Sequence, residues 1–180
     1  MKTLYLECGM GAAGDMLMAA LYELLSEEQR RDFLETMNGL GLPGVEVTPV
    51  AAKTGGIAGT RIKVTVHGHE EHEHHHGHDG HKHDRHHHHH HATPGHIGEI
   101  IDGLSMPQEI KERARQVYDA IAQAEAQAHG CPVGDVHYHE VGALDAVADV
   151  AGVCYAMHLL DPDLVTASPV HVGSGTVTCA

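Results

Sequence analysis

The chain has 180 residues, and its 25 acidic side chains against 11 lysines and arginines give a formal charge of -14 at pH 7. This balance argues against nucleic-acid or anionic-membrane partners, because phosphate binding needs clustered basic side chains. The four cysteines lack CxxC spacing, which indicates a reducing compartment. No apolar run reaches about 18 residues, so we expect a cytoplasmic protein without a membrane segment.

The first third of the chain alternates between strand-forming and helix-forming sequence. A glycine-rich turn from Gly9 to Gly14 separates the first strand from the first helix, and Gly55 and Gly56 separate two later strands. The predicted elements are a strand at 3–8, a helix starting near Asp15, a helix at 27–37, and strands at 45–51 and 60–66.

Residues 67–91 hold fifteen histidines among Gly, Asp, Glu, Lys and Arg, with no apolar residue. Such a segment cannot bury a core, so we expect 67–92 to be an insertion that is disordered without metal. Imidazole binds nickel, zinc, copper and cobalt with little selectivity. The predicted metal ligands are His67, His69, His72, His74, His75, His76, His78, His81, His83, His86, His87, His88, His89, His90 and His91.

Two other interpretations of this tract stay open. Six consecutive histidines, His86 to His91, are also what an affinity tag looks like, although this run is internal and follows nine others. The tract could equally be a passive metal store or an unselected low-complexity loop.

Helical sequence resumes after the tract. Pro107 suits the first position of a long helix to about His129, whose apolar residues recur at spacings of four and three. Because strands and helices interleave, we expect an α/β (α+β) fold in which a small sheet is packed by helices, as a single domain over 1–180. The predicted elements are helices at 96–102, 107–129 and 144–160 and a strand at 164–172, and the predicted buried face of the long helix is Ile110, Ala114, Val117, Ile121 and Ala124.

A second group of chemically versatile side chains follows the long helix. In an extended segment His137 and His139 would share a face and Glu140 would point the other way. Asp145 and Asp149 are one turn apart on a predicted helix. Such a group could bind a divalent metal or shuttle protons. Aspartates at a helix start, however, are often only partners of the helix dipole, and His137 could be an ordinary surface residue.

The turn after the first strand is the third candidate. Gly9, Gly11 and Gly14 could bring peptide N–H groups close to a phosphate at a helix N-terminus. No acidic residue follows at the position that a dinucleotide-binding fold requires. Asp15 could be a cap or a ligand, and Cys8 could be reactive or simply buried.

Several segments together resemble the LarC family of nickel-insertion proteins. They are LYLECGMGAAGDM at 4–16, the histidine tract, AEAQAHG at 124–130, HYHEVGALD at 137–145 and VGSGTV at 172–177. The resemblance implies a nickel chelatase or cyclometallase, a lyase. It would insert nickel into pyridinium-3,5-bisthiocarboxylic acid mononucleotide, with CTP hydrolysis, to make the nickel-pincer cofactor of lactate racemase.

The resemblance also implies that part of the protein lies elsewhere. Full-length relatives continue beyond the 172–175 segment into a C-terminal domain that binds CTP with manganese or magnesium, so we expect this chain to be an N-terminal portion that is inactive alone. Glu7 replaces the family's usual aspartate. The implied partners are the thiocarboxylated pyridinium mononucleotide, the C-terminal half, lactate racemase apoenzyme and further copies of the chain.

Carried over to individual residues, the resemblance implies that the tract gathers nickel and that the Gly9 to Gly14 turn holds the substrate phosphate. His137 or His139 is the implied base that removes a ring proton. The face expected to hold the nucleotide comprises Asp15, His137, His139, Glu140 and Asp145. Two other functions remain open, namely a non-catalytic nickel metallochaperone or store and a metal-dependent hydrolase.

Overall fold

The computed structural model describes residues 1–70, 92–138 and 141–175. The predicted disorder of 67–92 therefore falls mainly outside the described residues. The elements are β1 Thr3–Leu6, α1 Gly14–Leu24, α2 Glu27–Asn38, β2 Val45–Thr54, β3 Ile57–Val66, α3 Pro94–Gly103, α4 Gln108–His129, a 3-10 turn Val133–Asp135, α5 Leu144–Leu160 and β4 Leu164–Ala167.

The α/β class is confirmed, but the described strands form two sheets instead of one. β2 and β3 are an antiparallel hairpin that turns at Gly55 and Gly56. β1 pairs in parallel with β4, from Thr3 opposite Leu164 to Leu6 opposite Ala167. Parallel strands need a crossover, and here the crossover is nearly the whole chain. The two ends of the described polypeptide therefore meet at one sheet.

Helix α5 is the centre of the core because small residues let its neighbours approach closely. Ala148, Ala151 and Ala156 are fully buried. A Cβ at Gly152 would lie 2.4 Å from the Sδ atom of Met18 on α1, so any other residue there would displace this buried side chain. This close packing of α1 on α5 brings the N-terminal ends of the two helices together.

The buried face of α4 differs from the predicted one. Val117 and Ala124 are exposed, and Tyr118 is buried instead. The buried residues recur at every fourth position, whereas the prediction assumed spacings of four and three in alternation, which selects Val117 in place of Tyr118. The buried residues are Ile110, Ala114, Tyr118, Ala122 and Ala126.

Several predicted boundaries also change. β1 ends at Leu6 and not at Cys8, β2 continues beyond residue 51 to Thr54, and β3 begins at Ile57 and not at residue 60. β4 ends at Ala167 and not at Val172. The next residue, Ser168, donates its N–H to the Leu6 carbonyl and accepts the Cys8 N–H at its hydroxyl, and Pro169 follows. Pro107 is the N-cap of α4, one position before the helix. The other helices and the hairpin lie where the sequence predicted them.

The first histidines of the predicted tract belong to the folded hairpin. Val66 and His69 exchange backbone hydrogen bonds of 2.8 and 3.1 Å. Glu70 forms ion pairs of 3.0 Å with both Arg61 and Lys63 on β3. Residues 67–70 therefore close the end of β3, and the part of the tract outside the described residues is 71–91.

Candidate functional site

The parallel pair β1–β4 ends in a hydrogen-bonded group around Glu7. Ser168 Oγ accepts the Cys8 N–H at 2.8 Å and donates to Glu7 Oε1 at 3.0 Å. Tyr5 donates its hydroxyl to Oε2 at 3.0 Å, and the Gly9 N–H donates to Oε1 at 3.2 Å. These donors, Ser168 first, hold the pKa of Glu7 below its usual value. An ionised Glu7 thus fixes the start of the glycine-rich turn.

The turn itself is held by the carbonyl of Cys8. That oxygen accepts the N–H groups of Gly11 and His171, each at 3.0 Å. Gly11 has φ +97, a conformation that suits glycine. Cys8 is 4% exposed, which favours the inert interpretation of this thiol over the reactive one. Because Gly9 and Gly11 already use their N–H groups, a phosphate would have to contact other peptide groups of the turn.

Three carboxylates meet where α1 and α5 begin, and we call Asp15, Asp145 and Asp149 the carboxylate cluster. Asp15 lies in the first turn of α1 and Asp145 in the first turn of α5. Asp149, one turn further along α5, packs directly on Gly14, where an added Cβ would lie 2.7 Å from the Asp149 Cβ. Within the described residues, the buried Asp149 Oδ1 has no hydrogen-bond partner.

The surroundings of Asp149 make its carboxyl group a weaker acid than an ordinary aspartate. Burial, followed by the negative charges of Asp15 and Asp145, raises its pKa from 3.8 to about 7, although a hydrogen bond from the Asp15 backbone opposes the shift. A carboxyl group that is half-protonated near neutral pH can both accept and donate a proton. The cluster therefore supplies an acid–base group that the isolated side chain would not.

The segment containing His137 packs against Ala92, the residue that follows the histidine tract in the sequence. Tyr138 donates its N–H to the carbonyl of Ala92 at 2.8 Å, and the two residues form a bridge. Gly142 folds over this bridge so closely that a Cβ would lie 2.6 Å from the Ala92 Cβ. Ala92, which directly follows the tract in the sequence, is therefore fixed against the residue that follows His137.

A tyrosine pair joins this segment to the carboxylate cluster. The Tyr138 hydroxyl donates to the Tyr118 carbonyl at 3.1 Å, and the Tyr118 hydroxyl donates to the Val141 carbonyl at 3.0 Å. Burial raises the Tyr118 pKa above its usual value, with contributions from Tyr138 and then from the carboxylates of Asp145 and Asp149. Tyr118 is thus close enough to the carboxylate cluster for the cluster's negative charge to raise the Tyr118 pKa.

The structure brings together some of the described residues predicted for the site. Gly14 and Asp15 lie with Asp145, and Tyr118 connects them to the segment that carries His137. His139, Glu140 and the tract histidines from His72 onward lie outside the described residues. Within 1–70, 92–138 and 141–175, no group of three or more His, Cys, Asp or Glu side chains is arranged to hold a metal ion. The carboxylate cluster is therefore not a metal cage by itself.

Sequence reasoning missed two residues that organise the site. Ser168 was placed inside a strand, although the Ser-Pro pair at 168–169 could have marked the strand end. Tyr118 was passed over for Val117. Both act through contacts with residues far away in the chain, which local periodicity does not report.

A cavity of about 330 Å³ lies elsewhere, between the α2–β2 loop, α3 and Leu144. Its lining is apolar apart from Glu99 and the backbone, so it offers little to bind a charged ligand. No helix in the described part of the chain is both long and apolar enough to cross a bilayer.

Comparison with known proteins identifies related sequences. A family model described as nickel insertion protein matches residues 4–180. The pyridinium-3,5-bisthiocarboxylic acid mononucleotide nickel insertion protein of Lactiplantibacillus plantarum is 38% identical over 100% of this chain and 43% of the relative. The protein of the same name from Acetivibrio thermocellus is 35% identical over 99% of this chain and 41% of the relative.

A putative nickel insertion protein from Geotalea daltonii is 34% identical over 100% of this chain and 41% of the relative. The chain thus spans less than half the length of these relatives. No solved structure matches it.

Proposed function

The chain belongs to the family of nickel insertion proteins, and we propose that it collects nickel and holds the pyridinium mononucleotide while the metal is inserted. The substrate is the one in the relatives' names. We further propose that CTP with manganese or magnesium acts in the C-terminal half, so the isolated chain does not complete the reaction. The product would be the cofactor of lactate racemase, whose apoenzyme would receive it.

The observation that carries this proposal is the bridge between Ala92 and Tyr138. It fixes Ala92, the first residue after the tract, against Tyr138, which follows His137 in the chain. Nickel bound by the tract histidines would thus be released next to a further imidazole. The Tyr138–Tyr118 pair then leads to the carboxylate cluster. A store with no insertion role would not require the tract to be anchored at such a group.

The proposed chemistry uses the cluster as well as the imidazoles. Forming a nickel–carbon bond on the ring breaks a C–H bond, and the proton must pass to a base. The candidates that the family resemblance implies are His137 and His139, and Glu140 and Asp145 are the carboxylates proposed to assist. Asp149 joins them because its pKa of about 7 suits proton transfer near neutral pH. The carboxylates also suit a pyridinium ring, since the ring carries a positive charge.

The phosphate of the substrate is proposed to lie on the turn from Gly9 to Gly14. Met10, Ala12 and Ala13 are the favoured contacts, since Gly9 and Gly11 already donate their N–H groups within the turn. Asp149 lies against Gly14 at the start of α1 and accepts the Asp15 N–H. A carboxylate therefore already occupies the positive end of that helix, so the phosphate belongs earlier in the turn.

A cytoplasmic location and self-association complete the proposal. Cys8, Cys131 and Cys154 are free thiols, as expected in a reducing compartment. The alternative function is a non-catalytic nickel metallochaperone or store.

Nickel titration by calorimetry at pH 7.5 separates the two functions. The variant to use lacks 71–91 and keeps 67–70, because Glu70 belongs to the hairpin. We expect this variant to retain one nickel site of the many in the intact chain, and to lose it when His137 and His139 are both replaced by alanine. His96→Ala with His129→Ala, two exposed helix histidines, is the matched control and should keep the site. If the deletion variant binds no nickel, the chain is only a collector.

A further inference from the structure

The parallel pair β1–β4 is an unfinished sheet. β4 makes its main contacts with β1, and its four residues are all exposed. Two-stranded sheets are rarely stable alone, and parallel sheets are almost always covered on both faces. The outer edge of β4 also presents a row of backbone groups to which another strand can bind.

The exposed surface is apolar on both faces. Leu4 packs against the core, yet Val165, its partner in the register, is 42% exposed on the same side. Leu164 and Tyr5 lie on the opposite face, where Leu164 is 45% exposed and Tyr5 is 58% exposed. Val170 adds a further exposed apolar side chain just beyond the strand. Contiguous exposed apolar surface of this kind marks an interaction site.

We propose that β4 docks the part of the family polypeptide that lies outside this chain, by adding a strand to the β4 edge and covering both faces. The occupant is argued from length: the chain spans 43% and 41% of its relatives, so more than half of each relative lies beyond the matched region. A linked segment reaches the edge at high effective concentration, which a second copy does not. This proposal rests on family membership and not on the insertion chemistry, so either can fail alone.

Docking there has a consequence for the site. β4 leads into Ser168, which holds Cys8 and Glu7 at the start of the glycine-rich turn. The added strand would therefore stand next to the turn proposed to bind phosphate. The substrate would then be enclosed between the two parts of the protein.

Binding can be tested with the chain and one defined probe, the part of the Lactiplantibacillus plantarum relative outside its matched 43%. Light scattering after gel filtration should show a one-to-one complex. Val165→Asp should weaken binding at least about tenfold, and so should Leu164→Asp on the other face, because each places a charge in an apolar contact. Ile57→Asp is the matched control, since Ile57 is 78% exposed at the distant hairpin turn, and should bind normally.

Thermal unfolding of each variant confirms that the fold is kept. The proposal is overturned if the wild-type chain does not bind the probe, or if both β4 variants bind as well as the control. It is also overturned if the chain alone forms a dimer that Val165→Asp abolishes, since a second copy then occupies the edge.

Discussion

Gly14→Ala is expected to lower the free energy of unfolding by about 1–3 kcal/mol, the cost of overpacking a well-packed contact. The new methyl group would lie 2.7 Å from the Cβ and 2.8 Å from the Oδ2 of Asp149. The carboxylate can rotate, but the Asp149 Cβ cannot withdraw without moving α5 away from α1. Urea unfolding followed by circular dichroism measures the loss.

The control is Gly103→Ala near the end of α3, where an added Cβ meets no atom within 4 Å. That change should be neutral or stabilising by up to about 1 kcal/mol, since alanine is the better helix former. Equal effects of the two substitutions would show that α1 and α5 do not touch at Gly14.

Asp149→Asn is expected to stabilise the protein at pH 8 by about 1–3 kcal/mol. The Asp149 pKa is raised from 3.8 to about 7 in the folded chain. Between these values the folded state holds a proton that the unfolded state has lost, so the free energy of unfolding falls as the pH rises through this window. The full shift corresponds to roughly 4 kcal/mol, and we expect less because the group keeps some contact with solvent.

The measurement is the difference in unfolding free energy between Asp149→Asn and wild type at pH 5, 6, 7 and 8. Taking the difference removes the contribution of the 21 histidines, which both proteins share. The difference should grow with pH and level off near pH 8. A variant less stable than wild type at pH 8 would instead mean that the carboxylate has a stabilising partner.

Local sequence signals predicted the helices and the hairpin because those elements depend on neighbours in the chain. The Gly55–Gly56 turn between β2 and β3 is an example of such a local signal. The pairing of β1 with β4 is different, since Thr3 and Leu164 are brought together only by the intervening helices. The sequence predicted both strands but not their partnership.

The candidate site also depends on contacts between distant residues, which local sequence signals do not predict. Asp15 and Asp145 were expected to lie together from the family resemblance, whereas the contact of Asp149 with Gly14 depends on how α1 crosses α5. The raised pKa of Asp149 follows from that crossing, because burial is its main cause. Tyr118 could not be recognised from α4 alone, since its role comes from bonds to residues beyond the helix.

The most direct test of the account is the ligand environment of nickel when the mononucleotide is present. X-ray absorption at the nickel edge would be recorded on the intact chain with one equivalent of nickel, before and after adding the nucleotide. We expect imidazole nitrogen ligands alone at first, and sulfur ligands from the thiocarboxylates to join them once the nucleotide is added. If the nickel spectrum is unchanged by saturating nucleotide, the metal is held away from the substrate, and the chain is a nickel store.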